Sequence, residues 1–172
     1  MCSVGLKDKT MGLAVSVYKN IKRTDNEDDY NFTAYVIDEN WRYKVKNLEY
    51  DKDYKGDCTD ADVSYAYSTH NRFREALIKI VGRKDLLLEN GKIDWVRLED
   101  EKKMPFYELI NFADNEGCLD FEISTILYNN FVEWKNEAVK LLADNDYLMQ
   151  KYLDWLNVFK NGKEANSVVV FS

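Results

Sequence analysis

The sequence has few of the residues from which many enzyme sites are built. Its 172 residues include one histidine, one proline and three cysteines. A single histidine does not supply a histidine-rich zinc site, and the sequence contains no nucleophile elbow, Walker loop or dinucleotide fingerprint. Cys2, Cys58 and Cys118 are odd in number and lack Cys-x-x-Cys spacing. This pattern argues against a disulfide framework and predicts reduced thiols in a cytoplasm.

Positive charge and long apolar runs are also scarce. The chain has 24 Lys and Arg against 31 Asp and Glu, a net charge of −7. Duplex nucleic acids and anionic membrane surfaces both attract basic faces, so neither partner is expected. No segment approaches the roughly 20 apolar residues that span a bilayer, and the first residues lack the features of a signal peptide. A basic protein partner, or an anion held by a few local arginines, remains compatible with this charge.

Aromatic residues, in contrast, are abundant: 12 Tyr, 8 Phe and 4 Trp make up 14% of the chain. Such a composition favours a packed core over intrinsic disorder, and the length suits one compact domain. Because Met11 opens a clean strand pattern, residues 1–10 are predicted to be an extension and residues 11–172 a single domain.

The first 68 residues have the composition of an antiparallel sheet. Strands are predicted at 12–18, 32–37, 41–48 and 62–68 from β-branched and aromatic content. The acidic stretch EYDKDYKGDCTDAD before the fourth strand is predicted to be a loop.

After Ser68 the apolar period changes to that of helices. The predicted helices span 69–82, 104–113, 121–142 and 146–161. Ser68 or Thr69 is expected to cap the first of them, and Asp120 the third. The apolar ending SVVVFS is expected to return to the sheet, since an exposed strand of this kind would aggregate. The sequence therefore predicts an α+β fold: an N-terminal antiparallel sheet, three or four helices, and a C-terminal strand that rejoins the sheet.

The segment SYAYSTHNRFREAL, residues 64–77, joins an aromatic strand to a polar helix start. The free N–H groups and the dipole at a helix start favour an anion, arginine forks bind phosphate or carboxylate, and tyrosine rings can stack on planar ligands. The candidate ligand-binding residues here are Tyr65, Tyr67, Ser68, Thr69, His70, Asn71, Arg72 and Arg74. In the structural alternative the tyrosines pack, the hydroxyls cap the helix, and the two arginines, about 200° apart around a helix, do not converge.

The segment NFADNEGCLDFE, residues 111–122, has some features of a calcium loop. The candidate metal ligands are Asp114, Glu116 and Asp120, and the first two are also candidate ligand-binding residues. Phe112 and Ile123 occupy the positions that need the strongest ligands, so the pattern is incomplete. No cofactor is otherwise expected, with Ca²⁺ or Mg²⁺ as the alternative. The acids could instead cap the flanking helices or pair with Arg72 or Arg74.

Both segments resemble those of a family of short bacterial and phage-encoded proteins without an assigned activity. The matching residues are Tyr67, Ser68, Asn71, Phe73, Arg74, Asp114, Glu116, Gly117 and the closing VVVF. The resemblance covers about residues 62–172, and Glu116 stands where family members often have Asp. It implies a bacterial or phage source and a coupled role for the two segments, but it supplies no reaction.

Three hypotheses of function follow. The first is a non-enzymatic, cytoplasmic binding or regulatory protein, phage-related, that holds a small anionic or nucleotide-like ligand at the start of the 69–82 helix. The second is an acidic protein-interaction or inhibitor module that docks on a basic partner, suggested by the acidic clusters at 25–29 and 57–62. The third is a divalent-cation-dependent hydrolase that uses the acids of the 111–122 segment.

Overall fold

The residues that the computed structural model describes are 12–26, 28–34, 48–112 and 117–172. The predicted strand at 41–48 falls almost wholly outside them, as do the extension at 1–10 and the acidic residues Asp114 and Glu116. None of the helices formed by the described residues is long and apolar enough to cross a bilayer.

A five-stranded antiparallel sheet forms one layer of the fold. Its strands are β1 (Leu13–Thr24), β2 (Phe32–Ala34), β3 (Lys52–Tyr65), β4 (Gly117–Asp120) and β5 (Ser167–Phe171). They are hydrogen-bonded in the order β2-β3-β1-β5-β4. The C-terminal strand β5 pairs with β1, with Val15 opposite Phe171, which confirms the predicted return to the sheet. Val168 and Val169 are fully buried on opposite faces, and burial on both faces explains why residues 168–171 of this strand are all apolar.

Helices follow the first three strands and cover one face of the sheet. They are α1 (Tyr67–Ile80), α2 (Trp95–Leu98), α3 (Tyr107–Ile110), α4 (Phe121–Glu133), α5 (Lys135–Leu141) and α6 (Asp146–Gly162), with a 3₁₀ turn at Lys84–Leu86. The predicted α+β fold is therefore confirmed. The prediction that Asp120 caps a helix is confirmed as well, because its Oδ1 accepts a hydrogen bond from the Ile123 N–H at 3.0 Å.

Three local predictions are wrong. The acidic stretch predicted to be a loop is most of β3, in which Ala61 and Val63 are buried while the alternating Asp60 and Asp62 are exposed. The prediction relied on the turn-forming composition of this stretch and overlooked that buried and exposed residues alternate along it with period two. The predicted 121–142 helix breaks at Trp134 into α4 and α5. The first helix begins at Tyr67, with Ala66 at the N-cap and no side-chain capping bond, so neither predicted hydroxyl caps it.

The main core lies between the helices and the sheet, and it is rich in stacked aromatic rings. Trp155 is fully buried at its centre, with the Phe159 ring centroid 5.4 Å away and that of Phe73 6.5 Å away. The end of α6 lies directly on β5: a Cβ added to Gly162 would sit 2.5 Å from Cγ2 of Val169. Only glycine fits this contact without movement of the strand or the helix.

A smaller cluster covers the other face of the sheet. Its buried members are Ile21, Phe32, Ala34, Leu48, Tyr54, Cys118 and Val168. Cys118 is buried and forms no disulfide, but Cys58 on β3 is disulfide-bonded. The prediction that all the thiols are reduced is therefore wrong, because cysteine spacing alone does not reveal which side chains the fold brings together.

Candidate functional site

Tyr65 and His70, two of the predicted ligand-binding residues, lie in the protein interior at the junction of β3 and α1. Trp155 on α6 donates its Nε1–H to the Tyr65 hydroxyl at 2.6 Å. Since the indole N–H can only donate, the hydroxyl proton is directed to Nδ1 of His70, 2.9 Å away. The three side chains thus form a buried hydrogen-bonded chain that fixes the start of α1 to the sheet and to α6.

Burial controls the ionisation of this chain. It raises the pKa of the Tyr65 hydroxyl well above its usual value, and the hydrogen bond from Trp155 only partly offsets the effect. Burial also lowers the pKa of His70 well below 6.5, and the nearby charge of Arg74 lowers it further. Both groups are neutral near pH 7 as a result. A neutral pair sealed in the core is suited to holding the helix in place rather than to contacting a ligand.

Arg74 is also buried, with 5% of its surface exposed. Its Nη1 donates to the carbonyl oxygens of Ile110 and Phe112 at 3.2 and 3.1 Å, and its Nη2 donates to Oδ1 of Asn71. The guanidinium also lies 5.3 Å from the ring centroid of Trp95, a cation–π contact. Arg74 therefore connects α1 to the chain just before the acidic turn predicted from the sequence.

The remaining predicted residues of α1 are solvent-accessible. Ser68 and Arg72 are exposed, and Tyr67, Thr69 and Asn71 are half-buried. Arg72 lies four residues after Ser68, so the two share one helix face, and its side chain points back toward the helix start. Arg72 forms no ion pair with another residue in the described ranges. As helix geometry suggested, the two arginines do not converge.

The start of α1 itself is electropositive and open. The Thr69 and His70 N–H groups bond to the Ala66 carbonyl, whereas those of Tyr67 and Ser68 have no partner within the described part of the chain. No acidic residue occupies the first turn. Nothing in that turn therefore neutralises the positive end of the 14-residue helix dipole.

Three residues near this junction were missed by the sequence analysis. Lys151 on α6 places its Nζ 5.3 Å from the ring centroid of Tyr65 and 5.7 Å from that of Tyr147, whose ring is 54% exposed. Trp95 is 45% exposed, and its ring packs against the guanidinium of Arg74. They lie about 20 to 80 residues from α1 in the chain, and periodicity within one helix carries no information on such contacts.

The predicted metal site is only partly within the described residues. Asp114 and Glu116 lie outside them. Asp120 is buried, and its Oδ1 serves as the cap of α4. Among the described residues, no group of three or more His, Cys, Asp or Glu side chains is arranged to hold a metal ion. The metal site therefore stays a prediction.

Comparison with protein-family models, curated proteins and solved structures found no match to this chain. The resemblance to short bacterial and phage-encoded proteins likewise stays a prediction.

Proposed function

We propose that the protein is a non-enzymatic binding protein that holds a small anionic ligand at the exposed start of α1. The observation that carries this proposal is the open helix start, where the N–H groups of Tyr67 and Ser68 have no partner among the described residues and no acid neutralises the dipole. Exposed Arg72 adds a guanidinium on the same helix face as Ser68. Two amides, a hydroxyl and a guanidinium form a donor set suited to phosphate.

The buried candidate residues support this site without touching the ligand. The Tyr65–His70–Trp155 chain fixes the end of β3 and the first turn of α1, and Arg74 fixes the second turn. Binding groups held on a rigid element lose little conformational entropy when the ligand arrives. This division of roles explains why one short segment contains both solvent-accessible and fully buried polar side chains.

Among anionic ligands, we favour a nucleotide-like molecule. Tyr67 packs partly against the core and is half-exposed at the helix start. A half-exposed ring beside a phosphate-binding helix start offers a stacking surface for a base. The proposal includes no catalytic step, because the only histidine is sealed in the core and bonded to Tyr65. A phage-related or regulatory setting belongs to the same proposal, whereas the disulfide at Cys58 removes the reduced thiols on which the expectation of a cytoplasmic protein rested.

Thermal denaturation in the presence of inorganic phosphate, nucleoside mono- and triphosphates, or divalent cations tests the proposal. A nucleotide that binds should raise Tm by roughly 5 to 10 °C at a concentration about one hundred times its Kd. The Arg72→Gln variant should lose most of this shift. Lys84→Gln, which removes the same charge from an exposed residue with no ion pair in the described part of the chain, should keep it. Equal shifts in both variants would argue against binding at α1.

A second variant tests the helix start without removing a positive charge. Ala66 is exposed and has the extended backbone of an N-cap residue, with φ −62° and ψ 146°. In Ala66→Asp the new carboxylate should cap α1, stabilise the unliganded protein by about 1 kcal/mol, and abolish the nucleotide shift by occupying the anion position. A full nucleotide shift in this variant would contradict the proposal.

A further inference from the structure

Within the described part of the chain, the outer edge of strand β3 is paired over only a short length. The short strand β2 pairs with Lys52–Tyr54. Between Ala61 and Tyr65, no strand formed by the described residues pairs with β3 on the side away from β1. An unpaired edge of this kind presents backbone donors and acceptors to solvent and can accept an added strand.

The hydrogen bonds of β1 show which backbone groups of β3 point outward. Ala14 exchanges both of its backbone hydrogen bonds with Ser172, at 3.0 and 2.9 Å, and so faces β5. Ser64 is the partner of Ala14 on β3. Because hydrogen-bonded and non-hydrogen-bonded pairs alternate in an antiparallel ladder, Ser64 must direct its N–H and C=O away from β1. The same reasoning applies to Asp62, which lies opposite Ser16.

The side chains along this edge are acidic on one face and apolar on the other. Asp60 and Asp62 are exposed and form no ion pair or side-chain hydrogen bond with another described residue. Ala61 and Val63 point into the main core. A second copy of this chain paired along the same edge would place carboxylates opposite each other, which destabilises the pair. The edge therefore favours a partner strand with basic side chains.

We propose that this edge binds an extended segment of a basic partner protein by strand addition. The added strand would exchange backbone hydrogen bonds with Asp62 and Ser64, and its Lys or Arg side chains would lie beside Asp60 and Asp62. Its alternate residues would be β-branched and would extend the apolar face next to Val63. In strand addition the main chain gives affinity and the alternate side chains give specificity. This surface is separate from the anion site at α1 and does not depend on it.

A labelled peptide Lys-Val-Lys-Val-Lys, titrated into the full chain, tests this inference. Saturable binding should slow hydrogen exchange of the Asp62 and Ser64 amides and leave the Tyr67 amide unchanged. A peptide of the same charge with the amides of its third and fifth residues, both lysines, N-methylated cannot complete the ladder and should bind at least about tenfold more weakly, from the loss of two backbone hydrogen bonds. Equal binding of the two peptides would mean that charge attraction alone explains the binding, and it would overturn the proposal.

Charge-removing variants test the role of the acids. Asp60→Asn combined with Asp62→Asn should weaken binding of the basic peptide about fivefold, since each cross-strand ion pair is modest. Asp144→Asn, an exposed acid on the turn between α5 and α6, should leave it unchanged. The inference is wrong if no peptide binds, or if the Asp144 variant weakens binding as much; the acids would then serve only to keep strands away from the edge.

Discussion

Acidification should destabilise the protein through one side chain, His70. In the folded state His70 is fully buried and accepts a hydrogen bond from Tyr65, and burial followed by the charge of Arg74 lowers its pKa well below 6.5. In the unfolded chain the imidazole regains its ordinary pKa. Below about pH 6.5 the unfolded state therefore binds more protons than the folded state. As a result, the free energy of unfolding decreases as the pH is lowered.

The size of the effect follows from the difference in the pKa of His70 between the folded and the unfolded state. If His70 stays neutral in the folded protein, lowering the pH from about 7 to about 5 should cost about 2 kcal/mol of unfolding free energy. For a chain of this length such a loss lowers Tm by roughly 4 to 8 °C. The chain contains a single histidine, and carboxylates mostly titrate at lower pH, so the change can be assigned to one group.

Urea denaturation at a series of pH values, for the wild type and for His70→Gln, measures this effect. Glutamine retains a hydrogen-bonding side chain but does not titrate. The variant should be less stable near pH 7 because the packing around Trp155 changes, yet it should lack the loss of about 2 kcal/mol on acidification. Parallel stability curves for the two proteins would refute the reasoning, because they would mean that His70 is solvated or protonated in the folded state.

Further changes test the supports of the fold and the site. Gly162→Ala should cost about 1 to 3 kcal/mol in thermal or chemical denaturation, because the added Cβ overlaps Val169. Tyr65→Phe removes a buried hydroxyl with two partners and should cost about 1 to 3 kcal/mol without changing anion affinity at pH 7 by more than about twofold. Arg74→Lys cannot reproduce the forked bonds to two carbonyls and should destabilise the protein by at least about 1 kcal/mol; a stability equal to that of the wild type would show that those bonds contribute little.

Much of the architecture follows from local patterns in the sequence. The apolar period of α1 is stable only when its apolar face packs on a core. The run SVVVF is stable only as a strand inside a sheet. The end of β3 lies within the strand predicted at 62–68, but its first ten residues were missed because the composition of this acidic stretch is typical of turns. Its alternation becomes clear only once the helices define a buried face. Trp134 is both the C-cap of α4 and the N-cap of α5, and local helical periodicity does not reveal this break.

The candidate site was predictable in part. Helix geometry alone indicates that Arg72 and Arg74 diverge, but it does not indicate which of the two faces solvent. The two carbonyl partners of Arg74 lie 36 and 38 residues away along the chain, and Trp155 lies 90 residues from Tyr65. Contacts over such separations arise from the tertiary fold, so the sequence did not show which polar residues support the site and which face solvent.

The central claim is that the open start of α1 binds an anion, and backbone amide NMR tests it most directly. On titration with a nucleoside triphosphate, the amide resonances of Tyr67 and Ser68 should shift along one saturable curve together with the Arg72 side-chain Nε–H resonance, and Ala66→Asp should abolish the shifts. Unchanged resonances for these two amides up to a concentration of about 10 mM, where ordinary ligands saturate, would contradict the account, as would saturable shifts located elsewhere in the molecule.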